Sequence, residues 1–338
     1  VVIKYRRLRD DEDINSVPAM GKTREKYEYA FRDRYVERQN KKDVMKFLDF
    51  IDEEIHLTPQ CYSEDDLKAV TEDADCLVLG SDQLWNPIWF DPLTLLSFAD
   101  GKKKISYATG GVSGLNDFNK PIIRQIAEGI SDFSTISVRE RKSAEILLGF
   151  TDRKISVTLD PTLLLRGKDW ETLCVDMDIQ EGSYGLCFCL GEIQPHKHLL
   201  KLLAERYEVK RIIYVQKEWS NHGFNEESLF CAVNDVGPCE FLSFVKKATF
   251  VATDSFHGFC FSLLFERDVF LFERAYVSDD IASGSRIYNL QEITGCGDRW
   301  LRYKQDLVHM GEIEYAVVRS RMEECRSSSL EFLKRSIG

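Results

Sequence analysis

The segment Thr253–Gly258 contains residue types that bind a small anion. It reads Thr-Asp-Ser-Phe-His-Gly and lies between a predicted strand and a predicted helix. The first N–H groups of a helix are free and carry a partial positive charge, so they favour phosphate or carboxylate. Ser255 adds a hydroxyl, Gly258 allows close backbone approach, and His257 supplies a charge or a proton near neutral pH. The structural alternative makes Ser255 a helix cap and His257 a histidine satisfied within the fold.

Arg139 is the second candidate, within Ser137–Arg141 at another strand-to-helix junction. A guanidinium at a strand end can hold a carboxylate or phosphate through two parallel hydrogen bonds. The alternative, with equal weight, pairs Arg139 with Glu140 or another acid. Arg141 is expected on the solvated helix surface.

A third candidate follows another predicted strand, where residues 80–87 read Gly-Ser-Asp-Gln-Leu-Trp-Asn-Pro. Hydrogen-bonding groups beside an indole are typical of sugar sites. We therefore predict a sugar-binding cleft lined by Ser81, Asp82, Gln83, Trp85 and Asn86. The alternative is a capped helix start with Ser81 or Asp82 as the N-cap. Ser106 and Tyr107, in the turn-like segment 106–111, are weaker candidates for the same cleft.

Signatures of other chemistries are missing from the sequence. It contains no Walker A motif, no GxGxxG and no G-x-S-x-G elbow. His196, His198 and His222 could in principle bind a metal, but residues two apart on a helix point to different sides, so no metal site is expected. The ten cysteines form no CxxC pair and are expected to be reduced, as in a cytosolic protein.

Composition indicates a soluble enzyme. A net charge of -11 argues against nonspecific binding to nucleic acid phosphates, although a local cationic pocket can still bind a small anion. Hydrophobic residues at 43% and charged residues at 30% are typical of a globular chain. No apolar run approaches the roughly 18–20 residues of a membrane span. We expect a cytoplasmic protein.

Short apolar runs alternate with helical patterns along most of the chain, which favours parallel α/β sheets. Strands are predicted at 76–80, 104–108, 135–138, 155–159, 184–190, 211–215, 249–253 and 269–272. Helices are predicted at 44–55, 122–130, 140–148, 198–206, 241–247 and 258–265. The candidate motifs therefore lie at strand ends, where ligands bind in open α/β sheets.

Two domains are predicted, with the boundary at Asp160-Pro161. The first covers residues 1–160 and the second residues 161–338, each with a Rossmann-like parallel sheet. An apolar stripe in residues 313–337 predicts a C-terminal helix that packs back on the protein. This arrangement is GT-B-like, as in two-domain glycosyltransferases.

Together the motifs resemble the polysaccharide pyruvyl transferase family. The matching segments are 78–86, 105–108, 136–140, 159–164 and 253–258, and Arg286-Ile287 and Asp298-Arg299 extend the match. The resemblance implies a GT-B-like fold and transfer of pyruvate from phosphoenolpyruvate onto two hydroxyls of a sugar, giving a cyclic ketal. It also implies no metal and no cofactor, since phosphoenolpyruvate is a substrate.

The resemblance also implies roles and partners. Arg139 and His257 would be catalytic and hold the donor's anionic groups, and Ser255, Phe256 and Gly258 would complete the donor site. An acid must protonate the enol carbon or assist phosphate departure, and His257 is the best candidate. The acceptor would be a sugar or a lipid-linked oligosaccharide. Any membrane association would be peripheral and through the acceptor, and no nucleic acid partner is expected.

The sequence departs from the family pattern at two places. Some relatives carry an arginine where Ser255 stands, so another cation is expected to contribute. Many relatives also open with a strand, an Asn/Gly-rich turn and a helix, a unit expected to be missing ahead of Val1–Ile3. Two alternatives remain open: a GT-B glycosyltransferase that uses a nucleotide sugar, and a noncatalytic sugar-binding relative.

Overall fold

A computed structural model describes residues 2–5, 41–88, 90–215, 228–274 and 281–338. Every strand pairing within these ranges is parallel. The strands are β1 Val2–Tyr5, β2 Leu57–Cys61, β3 Cys76–Leu79, β4 Lys103–Thr109, β5 Thr135–Val138, β6 Ile155–Val157, β7 Gly185–Phe188, β8 Ile212–Val215, β9 Phe230–Val233, β10 Phe250–Thr253 and β11 Asp268–Leu271.

The helices alternate with these strands over most of the described chain. They are α1 Lys41–Glu54, α2 Glu64–Val70, α3 Lys120–Gly129, α4 Arg141–Leu148, α5 Gly167–Trp170, α6 Lys197–Arg206, α7 Pro238–Lys247, α8 Phe256–Leu264, α9 Ile281–Thr294, α10 Lys304–His309 and α11 Tyr315–Ile337. No helix in the described ranges is both long enough and apolar enough to cross a membrane.

The chain forms two compact units that are not consecutive in sequence. Unit one comprises Val1–Val70, Gly167–Tyr276 and Leu301–Leu307, and unit two comprises Thr71–Arg166, Val277–Trp300 and Val308–Gly338. This division differs from the predicted domains 1–160 and 161–338. Alternation of strands and helices marks elements along the chain, but it does not say which sheet each element packs against.

Contacts of α1 illustrate the difference. Lys46 Nζ donates to the backbone oxygen of Asp235 at 2.7 Å and forms an ion pair with Glu240 Oε1 at 2.7 Å. These partners precede and begin α7, far along the chain, so α1 belongs with the second half of the sequence. Burial by itself would lower the pKa of Lys46, but the carboxylates of Glu240 and Asp235 outweigh burial and raise that pKa.

Unit one is built on a five-stranded sheet with the order β11-β10-β7-β8-β9, and β1 pairs with β2 in a separate two-stranded sheet. Every residue of β10 is buried. A parallel strand covered on both faces needs apolar or small side chains throughout, which explains the run Phe-Val-Ala-Thr. Neither β2 nor β9 was predicted; β2 contains Pro59 and polar neighbours, and it lacks the β-branched alternation that signals a strand.

Unit two is built on a four-stranded sheet with the order β3-β4-β5-β6. The helix α11 returns to this sheet, as predicted for the C-terminal helix: Ser329 Oγ accepts from the backbone N–H of Leu159 at 3.0 Å, and the ring of Phe332 lies 6.4 Å from that of Tyr107. The prediction of two parallel-sheet α/β units with a returning helix is therefore confirmed. The predicted strands and helices all appear, most with ends shifted by one to three residues.

Candidate functional site

The candidate residues of unit two lie where four parallel strands end. Asp82 follows β3, Gly110 follows β4, Arg139 follows β5 and Asp160 follows β6. Parallel strands in register bring their carboxyl ends to one edge of the sheet, so these loops are neighbours. The predicted position of the motifs at strand ends is confirmed.

Arg139 forms the centre of a buried ionic cluster. Its side chain is 2% exposed, Nε donates to Glu140 Oε1 at 2.9 Å, and Nη1 donates to Asp160 Oδ2 at 2.7 Å. Burial alone would lower the pKa of Arg139, but the Glu140 and Asp160 carboxylates outweigh burial and raise that pKa above its ordinary value. The pairing of Arg139 with acids, left open by the sequence, is what the structure contains.

Both carboxylates are themselves held in place. Asp160 Oδ2 also accepts from Ser81 Oγ at 2.9 Å, and its Oδ1 accepts from the backbone N–H of Thr162 at 2.9 Å. Glu140 Oε2 accepts from Ser143 Oγ at 3.1 Å. Ser81 is thus a partner of Asp160, and its hydroxyl positions the ionic cluster.

Asp82 is the solvent-facing member of the cluster. Its Oδ1 lies 3.6 Å from Arg139 Nη2 and 3.8 Å from Arg286 Nη1, while its side chain is 67% exposed. Arg286 comes from α9 and is buried. It also meets the amide of Gln83, whose oxygen, when turned toward the arginine, accepts from both Nη atoms. Sequence reasoning noted Arg286 only as part of the family resemblance.

Gly110 and Gly111 allow the β3 and β4 loops to pack closely. A Cβ on Gly110 would lie 2.8 Å from the Asp82 backbone oxygen and 3.0 Å from Arg139 Nη2. Gly111 has φ +105°, and a Cβ there would lie 2.7 Å from the Asn86 backbone nitrogen. The segment interpreted as a flexible turn is therefore a close-packed support for Arg139.

The remaining predicted cleft residues are turned into the protein. Trp85 is 0% exposed and packs edge-on against Phe133, with centroids 6.5 Å apart. Asn86 is buried and caps its own loop by accepting from the Ile88 N–H at 3.0 Å. A buried indole offers no face to a sugar, so the stacking role predicted for Trp85 is corrected to core packing.

Ser106 and Tyr107 are likewise committed within the fold. Ser106 Oγ donates to the Ser137 backbone oxygen at 2.7 Å, and Tyr107 Oη donates to the Leu159 backbone oxygen at 3.0 Å. Burial raises the pKa of Tyr107 to about 12. Ser106 joins β4 to the neighbouring β5, and Tyr107 joins β4 to the segment after β6. Both side chains are buried, so their predicted contact with an acceptor is corrected to a structural role.

In unit one, the loop after β10 begins α8 with a serine cap. Ser255 Oγ accepts from the Gly258 N–H at 3.3 Å, and Thr253 Oγ1 accepts from the Ser255 N–H at 3.0 Å. A Cβ on Gly258 would lie 2.5 Å from Thr253 Oγ1. Gly258 is therefore needed for the close approach of helix to strand, and its predicted role in the approach of a ligand stays a prediction.

His257 is the partly exposed residue of this turn. Ser255 and Phe256 beside it are buried, and the Phe256 ring meets the imidazole edge-on with centroids 5.3 Å apart. The buried Phe256 ring thus packs against the imidazole of His257. Of the predicted donor residues in unit one, His257 is the side chain that the fold leaves most accessible.

Asp254 and Arg274 form a pair beside this turn that the sequence did not reveal. Asp254 Oδ1 and Oδ2 accept from the backbone N–H groups of Leu190 and Gly191, at 2.5 and 2.8 Å. Arg274 Nε donates to Asp254 Oδ2 at 3.3 Å, and Nη2 donates to the Asp254 backbone oxygen at 3.3 Å. A guanidinium thus contacts the residue that precedes Ser255. Arg274 follows β11 by three residues, and that strand-end position was its only signal.

His196 is held in place by contacts within the fold. Its Nε2 lies 2.9 Å from the Glu273 backbone oxygen, and its ring stacks on Phe272 with centroids 4.4 Å apart. Burial lowers the pKa of His196. His222, its conceivable partner in a metal site, lies outside the described residues. The described ranges contain no group of three or more potential metal ligands.

The fold and these loops define a class: an α/β protein of two parallel-sheet units whose motif residues lie at the carboxyl ends of the strands. Arg139 belongs to unit two and His257 to unit one, so their meeting around one donor stays a prediction. The sequence model of the family described as polysaccharide pyruvyl transferase matches residues 5–276. The chain belongs to the polysaccharide pyruvyl transferase family, and the resemblance inferred from the motifs is confirmed.

Solved structures with a similar fold include two sugar-nucleotide enzymes. UDP-N-acetylglucosamine 2-epimerase from Rickettsia bellii is 11% identical, with 88% of this chain and 89% of that chain covered and a TM-score of 0.47. A putative UDP-N-acetylglucosamine 2-epimerase from Listeria monocytogenes is 13% identical, with 85% and 80% covered and a TM-score of 0.47. A search of curated proteins gives no match.

Proposed function

We propose that this protein transfers pyruvate from phosphoenolpyruvate to two hydroxyls of a glycan or glycan precursor, forming a cyclic ketal. The observation that carries the proposal is membership of the polysaccharide pyruvyl transferase family over residues 5–276. The loops that carry Arg139 and His257 both lie within the matched range.

The chemistry requires one proton transfer to carbon and one leaving group. The first sugar hydroxyl adds to C2 of the enol, and C3 gains a proton and becomes a methyl group. The second hydroxyl then displaces phosphate from C2, and two C–O bonds of the ketal replace the enol double bond and the C–O bond to phosphate. His257 is proposed as the acid of one of these steps because it is titratable near neutral pH and partly exposed.

The donor's negative charge is assigned to Arg139, to His257 and to the amino end of α8. For Arg139 to hold the donor, the incoming anion must take the place of a carboxylate. Asp82 is the one that can leave most easily, because it is largely exposed and its oxygen lies 3.6 Å from Arg139 Nη2. Its departure would present Arg139 Nη2 and Arg286 Nη1 together, since both lie within 3.8 Å of Asp82 Oδ1.

Release of phosphate from phosphoenolpyruvate tests the proposal. It would be measured with methyl glycosides of the common hexoses as acceptors, and the ketal would be identified by mass. We expect His257→Ala to lower kcat by about 100-fold or more, the usual contribution of a general acid. His198→Ala, at an exposed histidine of α6, is the matched control and should retain full activity. Binding of UDP-sugars without binding of phosphoenolpyruvate would contradict pyruvyl transfer and favour glycosyl transfer.

Asp82→Asn tests the exchange of anions at Arg139. The amide keeps the shape of the side chain but removes the competing charge, so KM for phosphoenolpyruvate should fall while the fold stays stable. A raised KM would instead mean that Asp82 helps to hold the substrates, as the sequence suggested.

A further inference from the structure

Unit two contains a cavity that lies away from the ionic cluster around Arg139. It has a volume of about 740 Å³, is open to solvent on one side, and is lined by residues of β5, β6 and the C-terminal half of α11. Pockets for small ligands commonly have volumes of a few hundred to a thousand Å³. The volume is therefore large enough for a saccharide of one or two rings.

Hydroxyl groups are the most frequent polar groups along its wall. Ser156 lies on β6, and Ser328 and Ser336 lie on α11. None of these three hydroxyls makes a hydrogen bond to another residue in the described part of the chain. Each can both donate and accept, so together they suit the alternating donors and acceptors of a sugar.

Two cations at the same cavity have no carboxylate partner among the residues that the structure describes. Neither Arg153 nor Lys154 forms an ion pair with any residue in the described ranges, although Arg153 Nη2 donates to the backbone oxygen of Phe133. Asp152 is the acidic residue of the lining, against Arg153, Lys154 and Arg335, and Arg335 Nη2 is itself paired with Glu331 Oε1 at 2.6 Å. On a chain with a net charge of -11, this local excess of positive charge favours an anionic ligand.

Another cavity in unit two, larger than this one, has balanced charges along its wall. It has a volume of about 900 Å³ and lies along α3 and α4, where three basic side chains face three acidic ones. There Lys142 Nζ pairs with Glu145 Oε2 at 3.2 Å. Its charges are balanced within the wall, so it has no preference for an anion.

We propose that the cavity between β6 and α11 binds an anionic saccharide. Arg153 and Lys154 hold the charged group, the serine hydroxyls bind sugar hydroxyls, and the partly buried ring of Phe332 packs against an apolar sugar face. The site is separate from the residues assigned to pyruvyl transfer, so its binding can be measured whether or not that proposal holds.

Calorimetric titration of the full chain tests the site with glucose 1-phosphate, glucuronate, glucose and inorganic phosphate as separate probes. We expect binding of glucose 1-phosphate or glucuronate, with the tighter one identifying the anion as phosphate or carboxylate. Glucose and inorganic phosphate should each bind at least tenfold more weakly, because each offers half of the contacts. Inorganic phosphate binding as tightly as the charged sugars would overturn the saccharide assignment.

Two exposed positions supply the variants. Lys154→Gln should weaken binding of the charged sugar several-fold, and Ser328→Phe should block it by filling the entrance. Lys142→Gln, at the other cavity, is the matched control and should bind as wild type. Because both test positions are exposed, folding is preserved, which a thermal melt verifies. Undetectable binding to wild type, or equal binding by all variants, would overturn the proposal.

Discussion

The strand-end loops of the two units manage charge in different ways. In unit two, the guanidiniums of Arg139 and Arg286 meet carboxylates directly, and Arg139 is almost completely buried between Glu140 and Asp160. In unit one, the buried carboxylate of Asp254 is held mainly by backbone N–H groups, and Arg274 adds only longer contacts.

The difference teaches what each loop can do. A buried charge must be paired, because leaving water costs several kcal/mol per ion. The paired charges of unit two therefore stabilise the fold around Arg139. In the turn of unit one, Ser255, Phe256 and Gly258 at the start of α8 are buried, and His257 is the partly exposed residue.

Arg139→Met should cause the largest loss of stability among these variants. The change leaves Glu140 and Asp160 buried without their cation, so we expect a loss of about 3–5 kcal/mol in the free energy of unfolding. Urea denaturation followed by tryptophan fluorescence measures it. Arg141→Met, which removes an exposed pair with Glu292, should cost less than about 1 kcal/mol. Unchanged stability of Arg139→Met together with lost turnover would mean that Arg139 binds the donor substrate and does not stabilise the fold.

Gly110→Ala tests the close packing beneath the arginine. The new methyl group would press on the Asp82 backbone and on Arg139 and Glu140, so a loss of about 1–3 kcal/mol is expected from overpacking. Gly80→Ala, where an added Cβ meets no atom within 4 Å, is the control and should be nearly neutral. Equal stability of the two variants in urea would mean that the loop yields to the methyl group.

Ser255→Ala removes the cap of α8 in unit one. One helix N–H, that of Gly258, loses its acceptor, so the expected cost is about 1 kcal/mol. Ser255→Asp retains a capping oxygen and should recover most of the stability. If the alanine variant were as stable as wild type, water would be an adequate substitute for the cap.

Tyr107→Phe tests a smaller contribution, the change of stability with pH in alkaline solution. Burial raises the pKa of Tyr107 to about 12, above its ordinary value near 10. Between these values the unfolded chain has lost the phenol proton while the folded protein keeps it, so stability falls as pH rises. The urea midpoint of wild type should therefore drop more steeply from pH 9 to 11 than that of Tyr107→Phe. Parallel declines would show that Tyr107 does not contribute.

Much of the fold could be predicted because local patterns suffice for it. The runs around Ile105, Ile136 and Val251 are apolar enough to predict buried strands from the local sequence. The strands β2 and β9 were missed because their residues become strands only through pairing with β1 and β8. Intrinsic strand propensity is a weak predictor where pairing with a neighbouring strand decides whether a segment becomes a strand.

The candidate site was predicted less completely. Motif spacing found Arg139, Ser255 and His257, and the strand-end rule placed them in the right kind of loop. It could not indicate that Trp85 faces the core, since an indole is equally suited to a core and to a sugar site. Nor could it find Arg274, whose partner Asp254 lies on a different loop.

The sequence by itself determined the alternation of strands and helices, the family, and which loops carry polar residues, because these depend on neighbours along the chain. Only the tertiary structure decided which charges are paired, which side chains are buried, and that the chain divides into two interleaved units. Those properties depend on groups far apart in sequence. For Arg139, the partner Asp160 lies 21 residues away, and their 2.7 Å contact exists only once two strands are side by side.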